Sequence, residues 1–205
     1  MPEQTVRAFV AIELPDEIRA LLEARQQELR AAMGRHAAAV RWTRPESVHV
    51  TLQFLGDLPR HLVCTISAAI ENACADARPA HLLLDGLGAF PNPRKPRVLW
   101  ASLGGDIDTL SALEASIGDR LTALGYKPDK PFQPHITLGR VRQNVRPDEL
   151  WVISKALTAQ LELPVEDVPF TIDSVSLMES HLQQGGSVYT RLARVSFDVS
   201  AKREA

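Results

Sequence analysis

The chain writes one short signature twice, HVTL at residues 49–52 and HITL at residues 135–138, each inside a β-rich run. Side chains alternate along a strand, so His49 and Thr51 share one face, as do His135 and Thr137. Val50, Leu52, Ile136 and Leu138 then point the other way, into an apolar layer. A polar face of one imidazole and one hydroxyl, built twice, demands a fold that presents two equivalent strands.

The surrounding pattern supplies such a fold. VRAFVAIE, residues 6–13, reads as a strand, and from Pro15 the period becomes helical, with Ile18, Leu21, Leu22, Leu29 and Met33 aligned before Gly34. Proline suits a first helical turn and glycine a helix stop. A strand from around His49 to Leu55 follows, then a helix from about Pro59 to Ala77 and a strand in HLLLDG. The order begins again with a strand in RVLWASL, a helix from Asp106 to Leu124 stopped by Gly125, and the connector YKPDKPFQP. The second histidine strand, a helix in PDELWVISKALTAQL and a strand in FTIDSVSLME complete it, and SVYTRLARVSF adds a last strand. Each half runs strand, helix, HxT strand, helix, strand. This predicts an α+β fold in a single bilobal domain over residues 1–205. Two pseudo-symmetric, antiparallel-rich sheets with outer helices would flank a central cleft, one HxT strand per lobe.

Charge and composition narrow the function. With 23 basic and 25 acidic side chains the chain carries no broad excess of positive charge, which argues against a non-specific nucleic-acid surface and leaves room for a local basic patch. PNPRKPR, with Arg94, Lys95 and Arg97 among prolines, is the candidate, against the plain alternative of a solvated connector. The apolar runs FVAI and HLLL fall far short of the roughly 20 residues that span a bilayer, and the N-terminus lacks a signal-peptide core. A cytoplasmic monomer without membrane contact is the expectation. Cys64 and Cys74 form no CxxC pair and lack partners at a zinc spacing, so they read as reduced structural thiols. His36, His61, His81 and His181 lie outside the repeat and read as surface or structural residues, and Trp42, Trp100 and Trp151 read as packing residues.

Two histidines of near-neutral pKa can act as base and acid in one displacement, each contributing about 10²–10⁴-fold, while two hydroxyls hydrogen-bond the non-bridging oxygens. A phosphodiester is the substrate that uses both. A module that only binds a phosphorylated RNA end is the non-enzymatic alternative. A metal site on His49 and His135 is a third reading, without an HExxH or an acidic ligand set to accompany it. By strict alternation Phe54 lies on the face opposite Thr51, and only a bulge or twist would turn it into the cleft.

RAFVAIELP, RWTRPESVHVTLQFLG, GLGAFPNPRKPRVLWASL and PHITLGR, in this order and over nearly the whole chain, resemble the 2H phosphoesterase superfamily. Within it the chain is similar to the bacterial and archaeal RNA 2′,3′-cyclic phosphodiesterases, also called 2′-5′ RNA ligases. The resemblance implies a bilobal fold without metal or other cofactor, acting on RNA with a 2′,3′-cyclic phosphate terminus or on a cyclic nucleotide. It makes His49 the proton donor to the leaving 3′ oxygen and His135 the proton acceptor that activates water. Thr51 and Thr137 would hold the phosphate, Arg140 would add a phosphate contact, Phe54 would touch the terminal base, and the product would be a 2′-phosphomonoester. The histidine pair sees only the phosphate, so cleavage or joining of 2′-5′ linkages and action on a small cyclic nucleotide stay open beside this reading.

Overall fold

The computed structural model describes residues 4–161, 168–183 and 186–197, and in it both repeats of the element order are built. The first comprises β1 (Thr5–Glu13), α1 (Asp16–Met33), β2 (Val40–Trp42), β3 (His49–Pro59), α2 (Val63–Cys74) and β4 (Ala80–Phe90). The second comprises β5 (Val98–Gly105), α3 (Ile107–Ala123), β6 (His135–Val141), α4 (Pro147–Leu161), β7 (Val168–Ile172) and β8 (Ser174–Gln183), with β9 (Gly186–Ser196) after it. Helix α1 starts after Pro15 with Asp16 and Glu17 in its first turn, where carboxylates face the positive end of the helix dipole. It stops at Gly34, whose φ of 54° is a conformation that glycine adopts without strain.

The α+β class is as the element order predicts, but the strands do not form two separate sheets. They lie in one antiparallel sheet in the order β7-β4-β5-β6-β3-β1-β8-β9, with β2 also on β6. The halves of this sheet meet at one ladder pair between β3 and β6, Val50 with Ile136. Nor does each lobe come from one half of the sequence: β4 pairs with β5, and β8 pairs with β1. Each half of the sequence therefore sends its closing strand across the β3–β6 junction, which ties the two sides of the one sheet together.

Three element boundaries also differ from the sequence reading. The segment FTIDSVSLME is two strands that part at Asp173, β7 against β4 in one lobe and β8 against β1 in the other. At the break Ser174 donates to the Asp173 carboxylate (2.9 Å), a local bond that competes with a continuous ladder. The helix expected from Pro59 begins only at Val63, because β3 continues to Pro59 along β1, with Leu58 buried opposite Val6. A long-range ladder overrides local helical periodicity there. The short β2 carries too few residues for a periodic signal and exists because β6 offers it an edge.

Beneath the sheet lies one apolar core. Ile18, Leu22 and Leu29 of α1 and Leu110, Ile117 and Leu121 of α3 are buried in it together with Val50, Ile136 and Leu138 of the histidine strands. The Gln26 side chain crosses from α1 to donate to the carbonyls of Thr43 and Leu138, both at 2.8 Å, so a buried polar group of the helix fixes the backbone of the second HxT strand. No helix among the described residues is long and apolar enough to cross a membrane.

Candidate active site

Strands β3 and β6 run antiparallel about the Val50–Ile136 pair, so His49 falls on the Thr137 side of the junction and Thr51 on the His135 side. An approximate two-fold relation between the HxT motifs follows from this register. Each strand then carries a bulge just past its threonine. Along β1 the partners of Val10 and Ala11 are Gln53 and Thr51, with Leu52 skipped, and along β5 the partners of Leu99 and Trp100 are Gly139 and Thr137, with Leu138 skipped. Two successive residues, Leu52–Gln53 and Leu138–Gly139, are therefore buried, and the next residue returns to the polar face. That residue is Phe54 in one strand and Arg140 in the other. The bulge that alternation required for Phe54 is present, and the ring is 60 % exposed.

Both imidazoles are oriented in the same way. His49 Nδ1 donates to the Ser47 carbonyl (2.8 Å) and His135 Nδ1 to the Gln133 carbonyl (2.7 Å), in each case two residues upstream. A carbonyl only accepts, so the proton sits on Nδ1 and the Nε2 lone pair is left for chemistry. Thr51 donates to His49 Nε2 across 3.1 Å. Around His49 stand Phe9, with ring centroids 4.9 Å apart, and Tyr189, edge-on at 5.1 Å. Phe90 meets His135 edge-on at 5.0 Å, and Trp100 lies at 6.4 Å. This apolar setting disfavours the charged ring. Burial, with the nearby charges of His135 and Arg140, lowers the His49 pKa to about 4 against the pull of the Ser47 carbonyl. Burial and Arg140 likewise hold His135 below the ordinary histidine value. Glu13, paired in register with His49, is a weaker opposing influence. Burial works to raise its own carboxyl, but hydrogen bonds from Ser176 (2.5 Å) and Arg191 (3.0 Å) prevail and hold it below the usual range.

A cleft of about 710 Å³ gathers His49, Thr51, Phe54, Thr137 and Arg140 along its wall. His135 stands beside it, near enough to His49 that charge on one ring opposes charge on the other. Five of the six residues singled out in the sequence thus line the cleft, and His135, on the same strand as Thr137 and Arg140, is not among its lining residues. Arg7, Lys127 and Tyr189 also line the cleft and were not anticipated. Nor were Phe9 and Phe90, although both lie in segments that carry the family resemblance, RAFVAIELP and GLGAFPNPRKPRVLWASL. Trp100 is not simply a packing residue, since it flanks His135, and a Cβ at Gly88 would collide with its ring. Trp42 does pack, donating to the Ala37 carbonyl (3.1 Å) under Arg30, whereas Trp151 is 63 % exposed beside Lys155. His81 bonds Thr171 on the surface and exposed His181 lies near Glu179. Cys64 is exposed rather than structural, and Cys74 is buried, which pushes its thiol up to about 11. Among the described residues no three His, Cys, Asp or Glu side chains gather as a metal-ligand set.

The two-half architecture recurs in known proteins. A family model described as LigT like phosphoesterase matches residues 12–100 and 105–189, one HxT strand in each segment. The RNA 2′,3′-cyclic phosphodiesterase of Methanothermobacter thermautotrophicus is 31% identical over 185 residues, covering 90% of this chain and 95% of that protein. The protein of the same name from Archaeoglobus fulgidus is 30% identical over 188 residues, covering 91% and 98%. Among solved structures, TT0787 of Thermus thermophilus superposes with a TM-score of 0.74 at 28% identity, covering 93% of this chain and 97% of that one. LigT of E. coli, complexed with 3′-AMP, has the same fold, with a TM-score of 0.73 at 24% identity over 95% and 99% of the two chains. With both halves matched and a relative above 30% identity along nearly its full length, the chain belongs to the LigT-like phosphoesterase family.

Proposed function

We propose that the protein hydrolyses the 2′,3′-cyclic phosphate at an RNA end to a 2′-phosphomonoester, with His49 as proton donor and His135 as proton acceptor. The observation that carries this reading is the pair of imidazoles on adjoining antiparallel strands, each with Nδ1 bound to a carbonyl two residues upstream, and with Thr51 bound to His49 Nε2. The names of the two relatives described above, both RNA 2′,3′-cyclic phosphodiesterases, supply the substrate class.

Opening a cyclic diester needs water in line on one side of phosphorus and a protonated oxygen leaving on the other. His135 Nε2 takes the proton of the attacking water, the new P–O bond forms as the bond to O3′ breaks, and His49 Nε2–H protonates O3′. The phosphate stays on O2′. In the empty cleft His49 is neutral near pH 7 and accepts the Thr51 hydrogen bond. The anionic diester opposes the effect of burial and raises the His49 pKa, so the ring gains its proton with the substrate. Nε2 then becomes a donor, and the freed Thr51 hydroxyl turns to a non-bridging oxygen. Thr137 donates to the other, and the Arg140 guanidinium balances the charge that develops on phosphorus. Phe54 offers an exposed face to the terminal base.

Incubation of RNA carrying a 2′,3′-cyclic phosphate, in chelator and without ATP, tests this directly. Chromatography should find the 2′-phosphate. A 3′-phosphate would reverse the substrate pose, and no hydrolysis would leave ligation or binding alone.

A further inference from the structure

Positive charge on this nearly neutral chain is segregated. Residues 29–45, 86–105 and 130–147 contain no aspartate or glutamate, yet they hold 11 of the chain's 23 lysines and arginines. The fold brings these three stretches together, because they contain β2, β5 and β6, and both β2 and β5 pair with β6. Arg41 of β2 is directly opposite Arg140 of β6, so the two share a face, and both are exposed. Like charges directly opposed across a ladder are destabilising. Arg140 lines the cleft, and exposed Arg142 follows it past the strand end.

The hairpin between β4 and β5 closes on the same end of β6. Val98 pairs with Arg140, and the Arg97 carbonyl accepts from Val141 N–H (2.9 Å). Its turn is held rigid by the Asn92 side chain, which accepts from the backbone N–H of Arg94 and of Lys95, both at 3.1 Å, leaving those two side chains in solvent. Elsewhere arginines find carboxylates, as in Arg19–Asp16, Arg25–Glu28, Arg191–Glu13 and Arg194–Asp173. Among the described residues, no carboxylate makes an ion pair with Arg41, Arg94, Lys95 or Arg142.

We propose that this end of β6 with its hairpin is the path of the RNA strand upstream of the cyclic end. The inference rests on the phosphodiesterase reading and extends it, from a terminal phosphate to a polymer. With a terminal base on Phe54 on one side of the junction and the reacting phosphate held by Arg140 on the other, the cations beyond Arg140 are the next that a longer strand can meet. Arg41, Arg142, Arg94 and Lys95 continue the positive surface outward. Such contacts neutralise backbone phosphates without reading sequence, and they release counterions.

The test replaces Arg41, Arg94, Lys95 and Arg142 together by Gln, all exposed and none part of the reacting site. Binding of a labelled single strand of about ten nucleotides ending in a 2′-phosphate is followed by fluorescence anisotropy, and turnover of a 2′,3′-cyclic mononucleotide is measured in parallel. Four phosphate contacts at about 0.7 counterion each predict that wild-type affinity falls on the order of 50-fold between about 50 and about 200 mM salt. The variant should bind at least about tenfold more weakly at the lower salt, with a flatter salt dependence, and turn over the mononucleotide as wild type does. Replacing the three arginines by Lys should retain the affinity, which separates charge from folding. Unchanged RNA binding in the Gln variant, an unchanged salt slope, or an equal loss on the mononucleotide would overturn the proposal. A wild type that binds RNA in this way but leaves the mononucleotide intact would overturn the phosphodiesterase reading and keep the basic path.

Discussion

Val50 of β3 and Ile136 of β6 face each other at the junction of the two lobes, each one residue past a histidine, and both are fully buried. Their side chains lie in the core while the histidines stand on the opposite face, so packing under the sheet sets the spacing of the imidazoles above it. Ile136→Ala should cost about 2–5 kcal/mol of stability and also lower kcat at temperatures where the variant is folded. Leu22→Ala, equally buried but in α1, should cost a similar amount and leave kcat unchanged. Thermal unfolding beside steady-state kinetics distinguishes them, and equal kcat in both variants would detach the junction from the site.

The depressed pKa values predict how activity follows pH. Both histidines titrate below about 6.5 in the empty cleft, so the kcat/KM optimum should lie on the acidic side of that value. Bound anionic phosphate should raise the His49 pKa, which would put the basic limb of kcat at higher pH than that of kcat/KM. Proton uptake on binding of a phosphate monoester near pH 6, read by calorimetry in two buffers of different ionisation enthalpy, checks the cause. Coincident basic limbs would contradict it.

The same burial links His49 to stability. Its folded pKa of about 4 lies below its unfolded value, so the unfolded chain takes up a proton first as pH falls. The stabilisation from neutral His49 is complete above about pH 6.5 and is lost as pH falls from there toward 4, roughly 3 kcal/mol at most. His49→Gln should flatten the decline of unfolding free energy across that window, measured by denaturant titration.

Gly88 lies opposite Trp100, whose ring occupies the place of the missing Cβ. Gly88→Ala must displace that ring, and its neighbour is His135. Activity should fall about tenfold or more with a smaller change in stability, and Gly88→Ala with Trp100→Leu should recover part of the loss, as expected of coupled neighbours.

The helical periods before Gly34 and Gly125 and the two HxT strands could be read directly, because side-chain alternation and helix stops are local properties. The pairing of the strand that carries His49 and Thr51 with the strand that carries His135 and Thr137 followed from the repeat. Placement of Phe54 did not, since the bulge at Leu52 depends on how β1 aligns with β3. Arg140 reaches the same face through the matching bulge at Leu138. The exchange of β4 and β8 between lobes was equally invisible, because it is a choice among strand partners with similar patterns. Ser47 and Gln133 act through backbone carbonyls, which no side-chain motif reports. Phe9, Phe90 and Tyr189 look like ordinary strand residues until the fold brings them to the imidazoles.

The paired action of the two histidines is best tested with His49→Ala, His135→Ala and the double variant, assayed for single-turnover hydrolysis of a 2′,3′-cyclic nucleotide. Residues that act as a unit lose nearly all their effect with the first removal, so each single change should cost on the order of 10²–10⁴-fold and the double change little more. Near-normal turnover in either single variant, or losses that multiply in the double one, would contradict catalysis by an acid and a base working on the same phosphate.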